Sequence, residues 1–116
     1  MKRLIGFLSF FFTTLAMAAT LDTDHYRIVI TCLSQDHEVG CERVSYEGTN
    51  KETGSTIRLI GKQIMQMCAD KTTPCHSLGY EFSNGNTYYF VSEDGQLKVI
   101  DGSKILINEH GEWTYE

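Results

Sequence analysis

The chain reads as all-β: a single small antiparallel domain of about seven or eight strands, an up-and-down meander closing into a small barrel or sandwich and stapled by two disulfides. Three observations predict it. The C-terminal half is divided into short β-branched and aromatic runs by Asn84-Gly85, Asp94-Gly95, Asp101-Gly102 and His110-Gly111. The N-terminal half alternates apolar and polar side chains with a period of two. No segment places its apolar residues at a convincing helical spacing.

The first segment bears on destination rather than fold. Lys2-Arg3 is a short positive start, Leu4 to Leu15 is apolar, and Ala16-Met17-Ala18 fits a small-x-small cleavage pattern. The apolar stretch of about 12 residues is too short for a stable membrane span. Residues 1–18 are therefore expected to be a cleaved signal peptide, and 19–116 one exported β domain, periplasmic or secreted. The nearest cysteine, Cys32, lies too far behind the cut to take a lipid.

The elements follow in order. Tyr26 to Leu33 is a strand, with Tyr26, Ile28, Ile30 and Cys32 on one face. A polar loop, Ser34 to Gly40, leads to Cys41–Glu47, where Val44 and Tyr46 share a face. Gly48 to Ser55 is turn-rich, and Thr56 to about Met67 alternates, with Gly61 placed for a bulge or bend. Gln63 to Ala69 could instead form a helical turn, being too short for periodicity to decide. Five runs then follow: Gly79–Ser83, Thr87–Glu93, Gln96–Ile100, Lys104–Asn108 and Glu112–Tyr115. Asn-Gly and Asp-Gly between them supply the positive-φ residues of tight hairpins. The expected inward set is Ile28, Ile30, Val44, Ile57, Leu59, Tyr80, Phe82, Phe90, Leu97, Val99, Ile105, Ile107 and Trp113. Asp22 and Asp24 read as a frayed, solubilising start.

All four cysteines, Cys32, Cys41, Cys68 and Cys75, follow the leader, and an even count in a small exported domain indicates disulfides. Three pairings are possible. The local one, Cys32–Cys41 with Cys68–Cys75, is favoured because each pair flanks a polar, turn-rich stretch able to bring its ends together. Zinc is disfavoured, since the spacings lack a tight C-x2-4-C knuckle. Paired cysteines also leave no thiol nucleophile.

Charge and motif content narrow the function. The net charge is −5, and loss of Lys2 and Arg3 with the leader takes it to −7. That is unsuited to nucleic-acid phosphates, where a basic face supplies most of the affinity. His25, His37, His76 and His110 share no metal-ligand spacing, and no serine sits in a G-x-S-x-G elbow. No catalytic residue, metal site or cofactor is expected, and the chain is not read as an enzyme.

Two features suit recognition. If bridged, Cys68–Cys75 staples a loop stiffened by Pro74, presenting Asp70, Lys71, Thr72 and Thr73, with His76 just outside. A loop frozen in one shape loses little entropy on binding. Tyr88-Tyr89-Phe90 places rings on both faces of one strand, and an exposed Tyr89, near Tyr115 across the sheet, would suit a protein-binding patch.

In size, leader, cysteine content and β-content the chain resembles the small periplasmic lysozyme inhibitors, and also immunity proteins that protect against wall-degrading toxins. The resemblance implies a basic cell-wall-degrading enzyme as partner, and no site residue is carried over from it. The leading expectation is an exported binding protein that inhibits or neutralises another protein, with no nucleic acid and no stable membrane insertion. The alternatives are an accessory module of the envelope or a secretion system, and a small envelope hydrolase. Charged residues on the expected edges (Arg27, Glu42, Arg43, Glu112) would discourage edge pairing.

Overall fold

A computed structural model describes residues 18–33 and 41–115. The expected leader apart from Ala18, the loop 34–40 with His37, and Glu116 lie outside the described residues.

Nine strands follow one another: β1 Ala18–Asp22, β2 Tyr26–Cys32, β3 Val44–Asn50, β4 Thr56–Met67, β5 Pro74–Asn84, β6 Thr87–Ser92, β7 Gln96–Asp101, β8 Lys104–His110 and β9 Glu112–Tyr115. They form one antiparallel sheet in the order β8-β7-β6-β5-β4-β3-β2-β1-β9. Each strand pairs with its neighbour in sequence up to β8, and then β9 returns to β1. The sheet is a nearly closed barrel rather than a sandwich.

Closure depends on Gly111. It alone separates β8, which lies on β7, from β9, which lies on β1. β8 and β9 are thus one long strand, bent so that its halves pair on opposite sides. A Cβ at Gly111 would sit 2.0 Å from the Asp22 carbonyl oxygen, so only glycine permits the bend. The Gly111 N–H donates to the Gly95 carbonyl at 2.8 Å and fixes it against the β6–β7 turn.

The hairpins are those the turn residues demand. Gly85 and Gly102 have φ of 65° and 63°, the left-handed region that side chains avoid. The segment 63–67 is strand, not helical turn. β1 was not expected: Asp22 is no frayed end, since it lies opposite Arg27 and accepts a 2.6 Å ion pair from Lys51.

The interior holds Leu21, Ile28, Ile30, Val44, Tyr46, Phe82, Val91, Leu97 and Val99, all buried. Each such side chain contributes roughly 1.5–3 kcal/mol on burial. Two expected core residues face outward. Register aligns Tyr89 with Phe82 and Val99, so Phe90 falls between Glu81 and Lys98 on the outer face. Ile105 is 53% exposed because a register shift after Val99 sets it opposite Ile100, reversing its face. Tyr46 and Val91 supply core volume in their place.

Candidate functional site: the stapled arm and the mouth beside it

β4 and β5 are 12 and 11 residues long, longer than any of their neighbours. β3 covers β4 as far as Gly61, and the Gln63 N–H then donates to the Cys41 carbonyl at 2.9 Å. On the far side, pairing between β5 and β6 begins at Gly79. Residues 65–67 and 74–77 therefore pair only with each other among the described residues. They form a two-stranded ribbon extending past the barrel, with two register shifts along it.

An isolated ribbon is marginal in water. This one is tied at its tip. Cys68 and Cys75 are bridged with Cα atoms 5.1 Å apart, as Cys32 and Cys41 are at 5.9 Å. Inside the loop the Cys68 N–H donates to the Thr73 carbonyl at 2.7 Å. Lys71 adopts φ 64° and donates its N–H to the Cys68 carbonyl at 2.9 Å. The Asp70 carboxylate accepts from the Thr72 and Thr73 amides at 3.0 and 2.9 Å and from Thr73 Oγ1 at 2.7 Å. These bonds, the Thr72 amide foremost, pull the Asp70 pKa down to about 2, so the tip keeps a fixed negative charge. Lys71 beside it is exposed, and the tip presents one charge of each sign.

Of the six residues singled out from sequence, Asp70, Lys71, Thr72, Thr73 and His76 are gathered on this arm, all exposed, with His76 opposite Gln66. Tyr89 is a correction. It points into the barrel, its ring 5.4 Å from that of Tyr46, because it shares the parity of Val91. The outward rings of that strand are Tyr88 and Phe90, and the Tyr88 hydroxyl donates to Glu81 at 2.8 Å. Tyr115 is not near Tyr89 either. Tyr89 lines the barrel mouth by the β3–β4 turn, whereas Tyr115 lines the mouth by the Cys32–Cys41 bridge.

That second mouth is at the arm's end of the barrel, because successive connections of a meander alternate ends and both bridges fall on the same one. It encloses a cavity of about 290 Å³ walled by Ile30, Val44, Tyr80, Tyr115 and the Cys32–Cys41 bridge. Gln63 Oε1 accepts the Cys41 N–H at 2.7 Å and anchors that bridge to β4. Trp113 stacks on Tyr115 with ring centres 6.0 Å apart and meets Tyr80 edge-on at 6.4 Å. Burial, helped by Glu93, pushes the Tyr80 phenol up to about 12 and keeps it neutral. Exposed Met67 and Leu78 add apolar surface on the arm. The sequence signal for this ensemble was the unusual length of the β4 run and its dense Ile64-Met65-Met67 content.

At the seam near Gly111, Glu109 accepts from Thr23 Oγ1 at 2.7 Å and from the His25 amide at 3.2 Å, with His25 Nδ1 2.7 Å away. Partial burial pushes the Glu109 pKa up, but the bonds from Thr23 and His25 outweigh it and hold it below the usual value. This cluster ties the β1–β2 turn to β8. Among the described residues no group of three or more His, Cys, Asp or Glu side chains could hold a metal ion.

Comparison with protein-family models, curated proteins and solved structures finds no match to this chain.

Proposed function

We propose that the protein is an exported binding protein that blocks a basic cell-wall-degrading enzyme, with the stapled β4–β5 arm and the apolar mouth beside it as the docking end. The observation that carries the reading is the arm: a ribbon held at its tip by a disulfide and the Asp70 hydrogen bonds, beyond the barrel wall. A projection fixed before contact pays little ordering entropy and can enter a partner's cleft. The mouth offers room for one apolar side chain of that partner.

The rest of the molecule agrees. Two disulfides in a small domain are compatible with a periplasmic or extracellular setting, and the Lys2 to Ala18 segment would direct it there. Net negative charge steers a basic partner and raises its association rate. Outward positions Arg27, Glu47, Arg58, Lys62, Glu81 and Lys98 carry charge, unlike the apolar band of a lipid-facing barrel. Titration of the purified protein against a panel of lysozymes and wall amidases tests the reading. Binding or inhibition at micromolar concentration supports it; silence across the panel removes it.

A further inference from the structure

We infer that the free edge of β8 pairs with β8 of a second copy of this chain, giving a closed two-fold dimer. β8 has β7 on one flank, and among the described residues no strand lies on the other. β1 would occupy that place in a fully closed barrel, but it ends at Asp22, and its turn reaches only Glu109. From Lys104 to Asn108 alternate backbone N–H and C=O groups therefore face outward without a strand partner. The same stretch exposes Ile105 at 53%, turned out by the register shift, and Leu106 at 49%, turned out by its alternation with Ile107.

The occupant follows from the charge order along the strand. Lys-Ile-Leu-Ile-Asn-Glu, residues 104–109, has a cation at its start and an anion at its end. Antiparallel pairing with an identical strand brings Lys104 of each copy toward the end of the other where the Glu109 carboxylate, held by Thr23 and His25, keeps its negative charge, while the apolar residues meet at the centre. A parallel arrangement would set like charges together.

Growth stops at two copies. β9 is the other end of the sheet, but it is only four residues long; just before it the Gly111 N–H donates to the Gly95 carbonyl at 2.8 Å, and the Trp113 side chain donates from Nε1 to the carbonyl of Ser92, at the end of β6, at 3.2 Å. An isologous contact between two β8 edges uses up the longer edge of each chain, and the four-residue β9 is left too short an edge to carry a filament. Ile107 of β8 lines the mouth opposite the arm, so both arms stay free in the pair and the inference is independent of the inhibitory reading. The edge is short and bulged, which makes the dimer weak and concentration-dependent.

Sedimentation velocity of the purified protein, from micromolar to millimolar, reads this out. The expected result is a shift from one to two chain masses, with the Asn108 amide gaining exchange protection as concentration rises. Leu106→Lys and Ile105→Lys, made separately, are each expected to raise the dissociation constant at least about tenfold. Both sites are exposed, so circular dichroism should be unchanged, and either variant suffices if the other misfolds. A monomer at every concentration, mass growing beyond two chains, or a dimer indifferent to the folded variants overturns the inference.

Discussion

Asp70 organises the arm's tip because one carboxylate takes three hydrogen bonds from two neighbouring threonines. Asp70→Ala should leave the barrel's melting temperature nearly unchanged and speed amide exchange at Thr72 and Thr73. The pH response has a definite sign. The depressed carboxylate contributes order in full above its ordinary 3.8, and that order is lost as pH falls through about 2. Tip amide protection measured by exchange should follow that window. Nearby, Ser77 Oγ is buried with no hydrogen-bond partner among the described residues, so Ser77→Ala should raise stability by about 1 kcal/mol, read from denaturant midpoints. The tip was legible in sequence because Cys, Asp, Thr and Pro act on residues a few positions away. Tyr89 was not. Alternation says that Tyr88 and Tyr89 point opposite ways, but cross-strand partners Phe82 and Val99 decide which one faces in.

The β4–β5 hairpin is held at two places, its tip and its middle. Cys68→Ala with Cys75→Ala should cost about 2–3 kcal/mol, the loop-closure value for so short a bridge. The loss should concentrate in residues 64–77, with amides of β2 and β3 staying protected in exchange experiments. In the middle, a Cβ at Gly61 would lie 1.9 Å from the Glu81 carbonyl oxygen, so β4 and β5 approach closely there. Gly61→Ala should destabilise by about 3 kcal/mol, the upper part of the overpacking range, in a chemical-denaturation curve. The sequence placed an irregularity at Gly61, whereas the first register shift comes after Ile64. The hairpins of the C-terminal half were readable from Asn-Gly and Asp-Gly, because those dipeptides set backbone angles locally. β1 was hidden: Ala18–Asp22 gains its strand partners from β2 and from β9, nearly the whole chain away. The register shift on β8 was hidden for the same reason; of the edges expected from sequence only the strand of Glu112, β9, is one, and β8 is the other.

Across the whole molecule, the barrel's seam and its charge make separate demands on pH and salt. The Glu109 hydrogen bond above all, with attraction from Glu109, Glu52 and Asp24, favours the protonated form of His25 and raises its pKa above 6.5. A raised pKa stabilises fully below 6.5, and that contribution disappears as pH rises through the raised value. The melting temperature should therefore fall slightly between mildly acidic and mildly alkaline buffer, and His25→Asn should flatten that slope. The acidic surface acts at longer range: association with a basic partner should slow as salt rises, with dissociation little changed. Folding class and bridge pairing were legible because cysteine spacing and turn residues are local; the arm became visible only once the barrel showed where its wall stops. The most direct measurement is calorimetric titration of one wall-cutting enzyme with the native protein and with the Cys68→Ala, Cys75→Ala variant, both checked for an intact barrel. Affinity reduced at least about tenfold in the variant is the expected result. Equal affinity for the two would show that the arm does not carry recognition.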